Sequence, residues 1–316
     1  MHVGGVTWVV TLVVLIAFLL IDVLVIGRKP HEPSTKECSI AISAYVGAAL
    51  LFAGFVWAMW ESRYAGEFLA GWLTEYSLSI DNLFVFIIIM AKLKVPRHLQ
   101  QYALMVGIIL ALVFRGVFIA LGAAVIARFA WAFFIFGGFL IYIAFDLVKK
   151  HFEKDQEKDA MNGFAIRWVT KTFKFADEFQ GTKLRIKRDG AGLLTPMFLV
   201  IVALGSTDLL FALDSIPAIY GLTQQAYLVF AANVFALMGL RQLYFLIGGL
   251  LNRLVYLSIG LSFVLAFIGV KLFLHALHHY ELIGFEVPLW VSLAVIITAL
   301  VITTVVSLMK SARPKP

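Results

Sequence analysis

Nine apolar runs divide this chain of 316 residues, at 6–26, 41–59, 68–91, 102–126, 130–148, 194–219, 227–250, 254–274 and 287–309. A helix crosses the hydrocarbon core of a bilayer in about 20 residues, and each run is close to that length. Backbone amides and carbonyls find no water at that depth, so a spanning chain must be helical or a closed barrel. The alternating pattern of a membrane barrel is absent. The expected fold is therefore all-α, a polytopic bundle of about nine transmembrane helices. Composition points the same way, with 62% hydrophobic residues and a mean hydropathy of +0.94, well outside the soluble range. The first run has no Lys or Arg before it and no clear small-residue cleavage site. It reads as a retained span and not as a signal peptide.

An odd number of spans puts the termini on opposite faces. Loops 27–40, 92–101, 149–193 and 251–253, with the C-terminus, carry 21 Lys and Arg, whereas Arg63, Arg128 and Lys271 are all that the other face holds. The positive-inside rule makes the basic side cytoplasmic, with the N-terminus outside and the C-terminus inside. It also accounts for the net charge of +7 without nucleic acid as a partner. Loop 149–193 includes Phe164, Ile166, Trp168, Val169, Phe173 and Phe175 among its basic residues. Part of it is expected to lie as an amphipathic segment on the membrane surface.

Carboxylates recur inside the apolar runs at one spacing: Glu75 and Asp81 in the third, Asp208 and Asp214 in the sixth. Charge at membrane depth is costly and marks function by default. The recurrence extends further. Arg115-x2-Phe118-x3-Gly122 matches Arg241-x2-Tyr244-x3-Gly248, and Gly138-x5-Ala144-Phe145-x2-Val148-Lys149 matches Gly260-x5-Ala266-Phe267-x2-Val270-Lys271. Order, spacing and residue class agree over three successive spans. Because each unit has three spans, the second enters from the opposite face, so an inverted 3+3 repeat is expected. Such repeats build secondary transporters with a site where the halves meet. The implied division is 1–67 for two accessory spans, 68–149 for the first repeat, 150–193 for the basic cytoplasmic loop, 194–274 for the second repeat, and 275–316 for an outer loop, the last span and a tail.

Residues six apart on a helix differ by about 120° and 9 Å along the axis, so an unbroken helix would not aim both acids of a pair at one ion. Gly205, Ser206 and Thr207 before Asp208, and Pro217 after Asp214, predict a break there. Thr74, Ser77, Ser79 and Asn82 crowd the first pair. Small polar residues and proline at depth are typical of discontinuous helices. Four carboxylates with the guanidiniums of Arg115 and Arg241 leave two negative charges. That balance fits one divalent cation, and equally two protons or a pair of sodium ions. The expected ligands are Glu75, Asp81, Asn82, Asp208, Asp214 and Ser215, with Asn233, Thr207 and Ser79 as accessories and the two arginines as counter-ions or gating groups. Oxygen donors of this kind suit Mg, Ca or Mn better than zinc or copper. A proton on one buried carboxyl could couple the ion to a proton gradient, since burial favours the neutral form.

Other features carry less. His275, His278 and His279 share a helix face and are expected as an interfacial cluster. Trp57, Trp60 and Trp72 resemble an aromatic belt. Asp22 and Asp146 sit near span ends, and the lone Cys38 has no partner for an internal disulfide. The glycines at 122, 137, 138, 248, 249, 260 and 269 fit close helix contact. No nucleophile elbow, phosphate loop or HExxH motif is present, so neither an enzyme nor an ATP-driven pump is expected.

The two acidic motifs, Glu75-Tyr-Ser-Leu-Ser-Ile-Asp81-Asn82-Leu-Phe-Val-Phe and Thr207-Asp208-Leu-Leu-Phe-Ala-Leu-Asp214-Ser215-Ile-Pro217-Ala, together with Arg115 and Arg241, resemble the TerC family of integral membrane proteins. That family is named for an association with tellurium resistance and is similar to the wider LysE-type exporters. The resemblance covers roughly 40–275. It implies a multi-pass protein of a bacterial-type plasma membrane that exports a divalent cation, Mn²⁺ foremost and Ca²⁺ as an alternative, as substrate and with no prosthetic group. It carries the family's metal-site residues onto Glu75, Asp81, Asn82, Asp208, Asp214 and Ser215. A scaffold for stress resistance, working through loop 149–193, is the alternative from another class.

Overall fold

A computed structural model describes residues 1, 3–26, 34–129, 131–153, 171, 175–176, 178–188, 191–247, 256–285 and 287–312. Outside it also lie the side chains of 19–26 and of single positions, Asp81 and Asp214 among them. The helices are α1 (Gly5–Ile26), α2 (Thr35–Met59), α3 (Ser62–Lys92), α4 (Arg97–Arg128), α5 (Ala132–Glu153), α6 (Pro196–Tyr220), α7 (Ala226–Met238), α8 (Leu240–Ile247), α9 (Leu257–His279) and α10 (Leu289–Ala312). Eight stretches among the described residues are long and apolar enough to cross a membrane, with α7 and α8 acting as one. Together with α1 they correspond to the nine expected spans.

Local chemistry sets the boundaries. Ser34 and Glu37 form a reciprocal capping box at the start of α2, Glu37 N donating to Ser34 Oγ at 3.2 Å and Ser34 N to Glu37 Oε2 at 2.8 Å. Pro196 opens α6, where a missing N–H costs nothing.

Polarity is distributed inside out. Val9, Val113, Val117, Phe145, Leu210, Phe263, Trp290 and Val301 are exposed, while Glu67, Glu75, Arg115, Asp208 and Arg241 are buried. Only a hydrocarbon solvent makes such a surface favourable, because water would penalise the exposed apolar area.

The expected break in α6 is absent. α6 runs unbroken from Pro196 to Tyr220 through Gly205 and Pro217, and α3 likewise runs unbroken through the first acid pair. Two of the small polar residues that hinted at interruption bond their own helices. Ser77 Oγ donates to Leu73 O at 2.7 Å and Ser206 Oγ to Ala203 O at 3.2 Å, as serine does in an intact helix. Gly205 is a packing seat, since a Cβ there would lie 3.5 Å from Leu110 on α4. Pro217 sits in the last turn and deprives a single carbonyl of its donor. The interruption falls instead in the seventh span, where Gly239 separates α7 from α8.

Helix pairing follows a pattern. α5 packs most extensively on α9; α3 packs on α7, and α4 on α6. α2 lies on α3 and α8, α10 on α9 and α3, and α1 only grazes α7. At the α5–α9 crossing a Cβ on Gly137 would stand 2.8 Å from the Gly269 carbonyl, and one on Gly269 would stand 2.8 Å from the Gly137 carbonyl. The two backbones therefore touch directly.

A two-stranded antiparallel hairpin, β1 (Arg185–Arg188) and β2 (Ala191–Leu194), leads into α6, and Phe175 bridges to Leu194. Asp189-Gly190 between the strands is a strong hairpin signal. The expected amphipathic segment, at 164, 166, 168, 169 and 173, lies outside the described residues, as do Gly248 and Gly249.

Candidate cation site

Arg115 sits mid-way along α4 with a side chain 1% exposed. Water cannot solvate its guanidinium there, so neighbouring helices must supply every partner. Asp208 on α6 takes a two-pronged pair, accepting from Nη2 at 3.1 Å and from Nε at 3.2 Å. Nη1 pairs with Glu75 Oε1 on α3. The same nitrogen donates to Asn233 Oδ1 on α7 at 3.0 Å and to Ser215 Oγ on α6 at 3.5 Å. Asn233 is held by its own amide, whose Nδ2 donates to Val229 O at 3.0 Å. One guanidinium thus joins four helices. Two of its carboxylates, Glu75 and Asp208, are the first members of the recurring acid pairs.

Helix periodicity explains which residues meet. Asp208 and Ser215 are seven apart, and so are Glu75 and Asn82, which puts each pair on one face two turns apart. Glu75, Asn82, Asp208, Ser215 and Asn233 are all buried. Glu75 Oε2 accepts no hydrogen bond among the described residues. Ser79 and Thr74 hydroxyls are also buried with no such bond, so the α3 side of the cluster keeps oxygen atoms uncommitted. Thr207 is half-buried and makes no bond to Arg115. Asp81 and Asp214 have side chains outside the described set. Among described residues no three of His, Cys, Asp and Glu converge as metal ligands.

Arg241 is equally buried, at 2% exposure, but is absent from the Arg115 hydrogen bonds. It lies on α8, against α2 and α3. Asn233, expected only as an accessory, is a direct partner of Arg115. The histidines do not gather. Gln224 Nε2 lies 2.7 Å from His275 Nε2, His278 Nδ1 lies 3.1 Å from the Ile283 carbonyl, and His279 packs on Tyr280. Trp57 is exposed as a belt residue should be, whereas Trp72 packs on Tyr76 and Trp60 on Phe55 and Tyr227. Asp146 has no part in the cluster.

A polar cavity of about 500 Å³ opens on the face opposite the basic loops, where α3, α7 and α10 begin and α6 and α9 end. The sequence pattern missed its central residue. Glu67 falls just before the third apolar run as read, yet it belongs to α3 and is 5% exposed. Its Oε1 accepts from Arg63 Nε at 2.9 Å, and its Oε2 from Thr223 Oγ1 at 2.6 Å. Its place eight residues before Glu75, on the same helix, was the available signal.

Known membrane proteins are similar to this chain along nearly its whole length. The chain is 42% identical to an uncharacterized membrane protein of Mycobacterium tuberculosis, over 97% of this chain and 80% of that one. It is 36% identical to an uncharacterized membrane protein of Myxococcus xanthus, over 96% and 92% of the two chains. It is 32% identical to a protein of Escherichia coli described as a candidate membrane-bound redox modulator, Alx, over 96% and 93%. No solved structure matches. Residues 60–315 match the integral membrane protein TerC family, and this chain belongs to that family.

Proposed function

We propose that this protein exports a divalent cation, Mn²⁺ foremost, through the site built around Glu75 and Asp208. The observation that carries the proposal is a buried guanidinium held by carboxylates from two helices that the sequence pattern makes equivalent. A salt bridge at such depth is poor at stabilising a fold, because desolvation offsets its attraction. As a resident counter-ion it has a use. Arg115 neutralises the carboxylates when no metal is present, and a cation that binds them must displace it. Glu75, Asp208, Ser215 and Asn233 offer carboxylate, hydroxyl and amide oxygens, the donors Mn²⁺ and Mg²⁺ accept. Asp81, Asp214 and Asn82 extend the set along α3 and α6.

The helix pairings favour an inverted repeat. Exchanging the two halves turns α3 on α7 into α6 on α4 and leaves α5 on α9 paired with itself, and these are the dominant pairings. Alternating access would then tilt helices around the fixed carboxylates, with protons returning on them in exchange for metal. The loop charges favour an N-terminus outside and basic loops in the cytoplasm of a bacterial-type cell. A thiol-based redox role, which the name of one relative brings to mind, is less well served. The sequence has one cysteine, Cys38, and it is buried.

The test is Mn²⁺ uptake into inverted membrane vesicles. Glu75→Gln, Asp208→Asn, Asp81→Asn and Asp214→Asn are each expected to reduce uptake to background while the protein stays monodisperse. Wild-type rates in the first two variants would overturn the assignment.

A further inference from the structure

The polar cavity is basic. Arg63 of α3 and Lys271 and His275 of α9 line it, and Glu67 is the one carboxylate among its described lining residues. Both Glu67 oxygens are engaged, Oε1 by Arg63 Nε at 2.9 Å and Oε2 by Thr223 Oγ1 at 2.6 Å. Glu67 therefore has little to offer a cation and serves to hold Arg63 at the cavity wall. A guanidinium carries five donors, and this contact uses the one on Nε. Lys271 and His275 are four apart on α9, which puts them on one face. Lys271 stands eight residues before the end of α9, about 12 Å inward. A lysine at that depth keeps its ammonium in polar surroundings, and the cavity provides them.

Backbone charge adds to side-chain charge. Three helices start at this cavity, α3 at Ser62, α7 at Ala226 and α10 at Leu289. Arg63, Gln225 and Leu289, at or beside those starts, all line it. The first-turn amides of a helix point out of its N-terminus, the positive end of its dipole, and together they favour an anion. Neither Glu61 before α3 nor Gln225 before α7 caps its helix with its side chain. α6 and α9 end on the same face, but their last turns bond back on themselves. Thr223 N donates to Ile219 O at 3.0 Å and Tyr280 N to Ala276 O at 3.1 Å. The segment that joins α9 to α10 beside the cavity exposes Leu282 and Phe285, with Trp290 following. A basic hollow with an apolar border has the form that a lipid phosphate and its tails would match.

We propose that this cavity binds a phosphate group, with Lys271 and Arg63 as its charged donors and the first turns of α3, α7 and α10 as its amide donors. The group comes from a lipid headgroup or from free phosphate. The proposal does not depend on the export reading. A phosphate seated there links α3 to α9 and α10 through a single ligand.

The experiment uses the purified full-length protein in detergent at fixed ionic strength, so that screening alone cannot mimic binding. It is titrated with inorganic phosphate, with phosphatidylglycerol in mixed micelles, and with diacylglycerol, which has the tails and no phosphate. Binding is read as a saturable rise in melting temperature. Wild type is expected to respond to phosphate, to phosphatidylglycerol or to both, and not to diacylglycerol. A response to phosphatidylglycerol alone identifies the source as lipid, and a response to inorganic phosphate identifies a free ion. Lys271→Gln is expected to shift the midpoint about tenfold to weaker binding, and the more exposed Arg63→Gln about threefold. Lys271→Arg, which keeps the charge, should bind within about threefold of wild type. Lys310→Gln, at the far end of α10, should bind as wild type. If Lys271→Gln fails to fold, Arg63→Gln at the surface still decides. No saturable response to either phosphate probe, an equal response to diacylglycerol, or wild-type midpoints in either glutamine variant at the cavity overturns the proposal.

Discussion

Arg115 concentrates the cost and the use of charge in this protein. Its partners lie on α3, α6 and α7, so cutting the side chain away strands two carboxylates in an apolar interior. Arg115→Ala is expected to destabilise the protein by about 3–5 kcal/mol, read as thermal unfolding in detergent. Adding Glu75→Gln and Asp208→Asn should recover most of that loss, because amides need no counter-charge. If the triple variant melts no higher than the single one, electrostatics is not the reason. Arg115→Lys should fold, but it cannot reproduce the two-pronged grip on Asp208. Much of this was legible in the sequence: charges at depth, spaced alike in two runs, had to meet something. Which arginine meets which acid was not, because that depends on how each helix is rotated about its axis. Glu67 escaped notice for a simpler reason. An acid at the edge of an apolar run reads as interfacial until the packing shows it buried.

At the scale of elements, the nine apolar runs became helices, and eight stretches among the described residues are long and apolar enough to cross a membrane, since hydrocarbon thickness and backbone hydrogen bonding leave few other solutions. The discontinuity was misplaced because glycine, serine and proline admit two physical uses. In α6 they permit close packing or bond their own backbone, and the interruption comes at Gly239 instead. The hairpin was missed although Asp189-Gly190 announced its turn. Glycines differ sharply in what they hold. Gly269→Ala should cost roughly 1–3 kcal/mol, since its Cβ would meet the Gly137 carbonyl and Ile141 at 2.8 Å. Gly54→Ala, with nothing within 4 Å, should stabilise α2 by about 0.5–1 kcal/mol through lost unfolded-state freedom. Paired melting curves in one detergent check both, and equal shifts for the two would contradict the crossing geometry.

At the scale of the molecule, an apolar exterior wraps a charged interior, with the Arg115 cluster buried among the helices and the Glu67 cavity at the face away from the basic loops. Sequence alone gave the orientation rule, and cysteine labelling at Gln224 and at Lys187 from either side of sealed vesicles tests it. Gln224 should react only from outside and Lys187 only from inside. The contact of α5 with α9 has a mechanical consequence. These helices come from different thirds of the chain, yet at Gly137 and Gly269 they meet backbone on backbone, and on either side their buried side chains pack into one core. They behave as one strut. If the protein cycles between two shapes, the sliding boundary runs between this strut and the group formed by α3, α4, α6 and α7. Spin labels placed outward on α5 and α9 should therefore keep one separation with and without metal, while labels on α5 and α4 should not. The parts that move are then not the halves into which the sequence divides.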